Sequence, residues 1–180
     1  MIEISEHGGS FAGGRGGVKK IQHITAGWDH NGQLSKFVTI EKINRDNAYI
    51  IIHSPNGDVG NGYHAFHASL DIAGNGDSLV WFGRHYYGQI SDPMHVTVVE
   101  MEKLKSKQIG TDVAEATGDM PITFSAVNPA KTIIIVSVSY EFAGSTYKKH
   151  HYGVIVSSTT ATIINVLNGA QYYWQIIEFD

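Results

Sequence analysis

Apolar residues along this chain come in short runs, and the runs obey two different rules. Ile122-Thr123-Phe124-Ser125-Ala126 alternates apolar and polar positions, the period of a strand with one face buried and one face wet. Ile50-Ile51-Ile52, Ile133–Val136, Val98-Val99 and Ile176-Ile177 are apolar at consecutive positions, so both faces of those strands need cover. A sandwich covers one face of each sheet, and the other must be covered by a sister unit or another subunit. Turn-forming clusters such as Ser54-Pro55-Asn56-Gly57-Asp58, Gly74-Asn75-Gly76-Asp77 and Asn168-Gly169 separate the runs, and each supplies the residues that tight turns require. This pattern predicts strands near 18–25, 37–43, 48–54, 64–72, 78–83 and 94–101, then near 104–109, 121–127, 131–139, 150–157, 160–167 and 172–179. Helix formers between Met101 and Ala116 offer a helical alternative there, which Gly110 interrupts.

The two sets of six are copies of one pattern. Val38/Ile122, Thr39/Thr123, Ile40/Phe124, Ile43/Val127, Asn44/Asn128, Ile50/Ile134 and Ile51/Ile135 match at one constant offset. VTVVEM (Val96–Met101) is answered by WQIIEF (Trp174–Phe179), and VKKIQ (Val18–Gln22) by LKSKQ (Leu104–Gln108), at slightly different offsets. The strands keep their lengths and the loops absorb the insertions, as in a repeat. The expected architecture is all-β: two tandem antiparallel β-sandwich modules of about six strands each, related by internal duplication. Residues 18–102 form the first module and 103–180 the second. Residues 1–17, glycine-rich over HGGSFAGGRGG, read as a flexible lead.

Composition then removes several function classes. A net charge of −4 with neutral histidines gives nucleic acid no attraction. Ten histidines make that balance soft, since roughly half would be protonated near pH 6.5. The absence of cysteine excludes disulfides and thiolate metal sites. No apolar run approaches a membrane-spanning length, and MIEISEHGG lacks the basic and apolar regions of a secretory signal. No bare glycine, serine or carboxylate pattern has the context that a phosphate loop, a nucleophile elbow or a glycosidase pair needs. The expectation is a protein that is not an enzyme and carries no cofactor.

AVNPAKTIIIV, followed by a closing WQIIEF strand, resembles the C-terminal β module of phage and prophage tail proteins, in fibres and spikes. The likeness is close over 121–180. It is looser over 18–102, where Arg45-Asp46-Asn47 replaces Pro129-Ala130-Lys131 and Val96 stands in place of Trp174. More distantly the strand order is similar to H-type lectins. The resemblance implies a virion tail protein, assembled in the host cytoplasm as a homo-oligomer, commonly a trimer, beside other tail proteins. Its role would be structural or the recognition of a host-surface glycan or other receptor. It brings no catalytic residues.

If successive strands run antiparallel, the connections Ala26–Ser35, Pro55–Tyr63 and Arg84–Pro93 emerge at one end of the first module. They carry Trp28, Asp29, His30, Asn56, Asp58, Arg84, His85, Tyr86 and Tyr87, and the second module adds Tyr147 and Lys149. Flat rings beside amide, carboxylate and guanidinium groups suit sugars, which offer an apolar face to the ring and hydroxyls to the polar groups. The alternative is that these rings pack loops or seal subunit contacts. His64 and His67, with His150 and His151 at the equivalent place, invite a metal. Residues one or three apart on a strand face opposite ways, however, so neither pair can share an ion. A metal would need one histidine per chain on a symmetry axis; otherwise these are surface or loop histidines.

Overall fold

The computed structural model describes residues 2–6, 17–27, 29, 33, 35–53, 65–70, 78–85, 94–140 and 152–180. Among them every regular element is a strand or a single 3₁₀ turn. The strands are β1 (Ile2–Glu6), β2 (Val18–Ala26), β3 (Ser35–Thr39), β4 (Ala48–His53), β5 (Ala65–Ser69), β6 (Leu79–His85), β7 (Met94–Met101), β8 (Ser106–Val113), β9 (Gly118–Thr123), β10 (Thr132–Tyr140), β11 (Tyr152–Ile155), β12 (Thr160–Val166) and β13 (Gln171–Glu178). Every predicted strand is present, with ends shifted by a few residues, and the helical alternative gives way to β8. One strand was missed. Ile2–Glu6 pairs with β2 from Ile2↔Ala26 to Glu6↔Gln22, so the first residues of the expected lead are sheet. The Gly-rich stretch 7–16 lies outside the described residues.

Four sheets result: A (β1-β2-β7-β4), B (β3-β6-β5), C (β10-β13-β8) and D (β11-β12-β9). Sheets A and B enclose one core, built on Ile24, Ile50, Met94, Val96 and Val98 from A and Val38, Leu70, Val80 and Phe82 from B. Sheets C and D enclose the other, with Tyr172, Trp174 and Ile176 from C facing Ile122, Ala161 and Ile163 from D. Strand order within each half is the same, β2-β7-β4 answering β8-β13-β10 and β3-β6-β5 answering β9-β12-β11.

The halves also share a polar node beneath the core. Glu100, 1% exposed, accepts from Lys19 Nζ at 2.8 Å and from the Asn44 N–H at 3.0 Å. Glu178, 2% exposed, accepts from Lys105 Nζ and the Asn128 N–H, each at 2.8 Å. Burying a carboxylate is costly unless a counter-charge and hydrogen-bond donors of this kind meet it. Ser106 also donates to Glu178 Oε2 at 3.1 Å, whereas Glu100 Oε2 is buried without a partner. Beside the node, Gln22 bonds both backbone groups of Glu41, and Gln108 both of Ser125. Each node therefore ties the first strand of its half to the last and to the start of the turn.

Asn128 is extended at φ −86°, ψ 108° before the 3₁₀ turn Pro129–Lys131, the geometry that a following proline favours. Asn44 adopts φ −89°, ψ 109° before the turn Arg45–Asn47, which has no proline. Common to both is the asparagine side chain, which accepts from the N–H two residues on at 3.1 Å. The cap makes the turn, as capping oxygens do at helix starts, and the proline is accessory. Core volume is balanced within each half in a comparable way. Trp174 pairs with Gly110 and Val96 with Ile24. A Cβ on Gly110 would fall 2.0 Å from the Trp174 ring, so the large residue is possible only opposite the absent side chain.

The faces that a single sandwich leaves open meet between the halves. Tyr49, Val99 and Met101 from the first cluster with Leu104 and Ile177 from the second, and Tyr49 meets Phe179 edge to face at 6.2 Å. Gln175 reaches across to the edge strand β4, accepting from the Ile50 N–H at 3.3 Å and donating to its carbonyl at 3.0 Å. A side-chain amide thus stands in for a neighbouring strand, one way to blunt an open edge. Lys107 Nζ donates to the Arg45 and Ala48 carbonyls. The seam covers the second face at Val99 and Ile177 and part of Ile135, whereas Ile51 and Ile133 stay exposed.

Lys105, then the Asn128 N–H, hold the Glu178 carboxyl below its usual range. As pH falls, the unfolded chain takes up this proton first. The node's contribution is complete above the unfolded value of about 4.3 and disappears as pH drops through the lower native value. Glu178→Gln should cost about 2 kcal/mol at neutral pH and flatten the acid limb of the stability profile. Urea midpoints measured between neutral and acid pH check both; an unchanged acid limb would show the node to be dispensable.

Candidate recognition surface of the first half

Strand register brings one end of the first half together. β2 ends at Ala26, opposite Met94 of β7, and β4 ends at His53, opposite His95. In the second sheet, Ser35 pairs with Gly83 and Ala65 with His85. The connections 27–34, 54–64 and 86–93 therefore all leave from this end. Their counterparts in the second half are 114–117, 141–151 and 167–170, so two of the three are longer in the first half.

Of the residues expected to bind a ligand there, Trp28, His30, Asn56, Asp58, Tyr86 and Tyr87, with Tyr147 and Lys149 of the second half, lie outside the described residues. Arg84 and His85 were expected in a loop, but they close β6, pairing with Phe66 and Ala65. The ladder simply continues three residues beyond Phe82, the last strongly apolar position. Asp29 is exposed on the rim. Its N–H donates to Gln33 Oε1 at 2.8 Å and its carboxylate accepts from Lys36 Nζ at 3.0 Å. Lys36 is 9% exposed and also donates to the Gly27 carbonyl at 2.7 Å. That ammonium draws the Asp29 carboxyl below its usual range, so Asp29 stays anionic through mildly acid pH.

Just below this rim, the outer face of sheet A carries a set of residues that the sequence reading passed over. His23 stands opposite Thr97, Thr25 opposite His95, and His53 opposite His95 on the other side. His23 Nδ1 and His53 Nε2 lie 2.9 and 2.8 Å from Thr97 Oγ1, and His95 Nδ1 lies 3.0 Å from Thr25 Oγ1. A hydroxyl has one proton, so between two neutral rings it donates to one and accepts from the other, which couples their tautomers. His53 and His95 each commit one ring nitrogen and keep the second. The signal was present as His-x-Thr twice, at 23–25 and 95–97; antiparallel pairing sets each histidine against the other strand's threonine.

His67 overturns the expectation of a surface or loop histidine. It is 4% exposed, parallel to the ring of Tyr173 from the other half at 4.6 Å and 6°, with Trp81 at 4.2 Å on its own sheet. Neither ring nitrogen has a hydrogen-bond partner. His64, His150 and His151 lie outside the described residues. Among the described residues no three His, Asp or Glu are placed to share a metal.

Burial depresses the His67 imidazolium to a pKa of about 4. The unfolded chain therefore binds its proton first, from about pH 6.5 downwards. Stability should fall as pH drops from there to about 4 and level off below, a loss of about 3 kcal/mol. His67→Phe, which keeps a ring against Tyr173, should remove that slope while leaving neutral-pH stability nearly intact; urea midpoints across this range test it. Comparison with family models, with curated proteins and with solved structures finds no match to this chain.

Proposed function

We propose that this chain is a non-enzymatic, phage or prophage tail-associated virion protein whose first half recognises a receptor on the host surface, a glycan in the leading case. One observation carries the reading: three connections leave from a common end of the first sandwich, and two are longer than their counterparts in an otherwise equivalent second half. Strand order and the Glu-Lys-Asn nodes agree between the halves, so the difference in these connections falls where a ligand would be met. The aromatic and polar content of those connections, Trp28, His30, Asn56, Asp58, Tyr86 and Tyr87, suits sugar stacking and hydroxyl bonding. Asp29, held anionic by Lys36, stands at their edge as an acceptor. The likeness of VNPAK…WQIIEF to tail modules supplies the setting: a homo-oligomer, a trimer by that analogy, among other tail proteins. Internal duplication of one module is the origin that the matched topology and matched Glu-Lys-Asn nodes favour.

A second reading, a purely structural tail, spike or decoration component, draws on the exposed apolar residues of β11, Tyr152 and Val154, and of Val156 just beyond it. A cellular H-type-like lectin would bind sugar without phage genes beside its own. A glycan array and binding to candidate host cells separate the first reading from the second. Tyr86→Ala with Tyr87→Ala should reduce binding at least tenfold without changing the melting temperature. A folded protein that ignores glycans and cells would rule out receptor recognition.

A further inference from the structure

The seam inside the chain is one-directional, and that leaves two surfaces over. In the first half, β5 presents His67 outward from sheet B, and His67 lies flat on Tyr173 of sheet C in the second half. The second half has an equivalent of the donor edge. Register fixes it: Ala68 pairs with the core residue Phe82 and Gly153 with the core residue Ile163, so the preceding residues, His67 and Tyr152, hold equivalent places. The first half has an equivalent of the acceptor face, because His95 precedes Val96 as Tyr173 precedes Trp174. Tyr152 is 53% exposed and His95 is exposed on sheet A. The ring pair that closes the seam, one histidine and one tyrosine, thus exists a second time with the partners exchanged and unmet.

The surroundings agree. Tyr152, Val154 and Val156 alternate along the chain and are 53%, 43% and 65% exposed, a row of apolar side chains on β11 and just beyond it, at the edge of sheet D. A monomer gains nothing from such a row on an edge strand, which invites pairing with another chain. On the acceptor side Ile51, 37% exposed, borders His53, His95 and Thr97. It corresponds to Ile135, which packs into the internal seam.

We propose that the chain associates head to tail with a second copy of itself: the outward side of β11 (Tyr152, Val154) and Val156 of one molecule docks on the exposed residues of the outer face of sheet A (Ile51, His53, His95) of the next. Within the chain, β5 already meets sheet C in this manner. The contact is heterologous, so it propagates until it closes into a ring or runs on as a filament. It rests on the equivalence of the halves and the established seam, not on receptor binding, and either can fail without the other.

Sedimentation velocity of the full chain over a concentration series tests it. The unaltered protein should sediment as more than one chain. Val154→Asp on the donor edge and His95→Asp on the acceptor face should each reduce it to a single chain with an unchanged melting temperature. Tyr152→Ser and Ile51→Asp serve if either first choice fails to fold. Mixing a donor-edge variant with an acceptor-face variant should restore pairs and nothing larger, because one intact joint remains between the two. A monomeric unaltered protein, variants that keep the full mass, or a mixture that stays monomeric would each overturn the proposal.

Discussion

A carboxylate buried under each core needs a counter-charge and backbone donors, and much of the architecture follows from how these are supplied. Glu178 and Glu100 lie on the last strand of each half, and the groups that satisfy them come from the start of β2 or the residue before β8 and from the backbone at the turn before β4 or β10. Unpaired, such a group would cost several kcal/mol. The chain therefore cannot place its last strand without also placing Lys19 or Lys105 and Asn44 or Asn128. The matched Lys, Asn and Glu are accounted for by this demand, and the matched Gln22 and Gln108 by the backbone groups of Glu41 and Ser125 that they bond. Sequence repetition of polar residues here marks scaffold rather than chemistry.

The seam is the next consequence. A sheet that is apolar on both faces has to find a second partner, and the sister half supplies it through Tyr49, Val99, Met101, Leu104 and Ile177. Gln175 closes the backbone edge at Ile50, and Lys107 uses the carbonyls at the turn. Because the halves meet in a directional way, equivalent surfaces have different fates. Tyr173 is covered by His67, while His95 is open beside Thr25, Thr97 and His53.

Much of this was legible beforehand, and the exceptions have physical causes. Period-two alternation and turn residues located the strands, and the offset repeat matched their order in the two halves. Ile2–Glu6 alternates apolar and polar residues, but the glycine-rich stretch after it separates this short strand from every other strand signal in the sequence. His67 was judged by its neighbours in sequence, yet its burial comes from Tyr173, a residue of the other half. The His-x-Thr pairs were invisible singly, since their meaning arises only when β2 and β7 run antiparallel in one register. The candidate loop residues followed from strand direction, and the strand ends do gather as that direction required.

The sequence by itself determined the all-β class, the strand positions and the matching of one half to the other, because side-chain alternation and turn chemistry are local and survive in one dimension. It also implied that some sheet faces needed a second cover. Only the tertiary structure decided which surface supplied that cover, which histidine became buried, and which equivalent face stayed open. Those outcomes depend on contacts between residues far apart in the chain, such as Gln175 with Ile50 and Tyr173 with His67. Their energies depend on desolvation and geometry at the seam, quantities that no local pattern encodes.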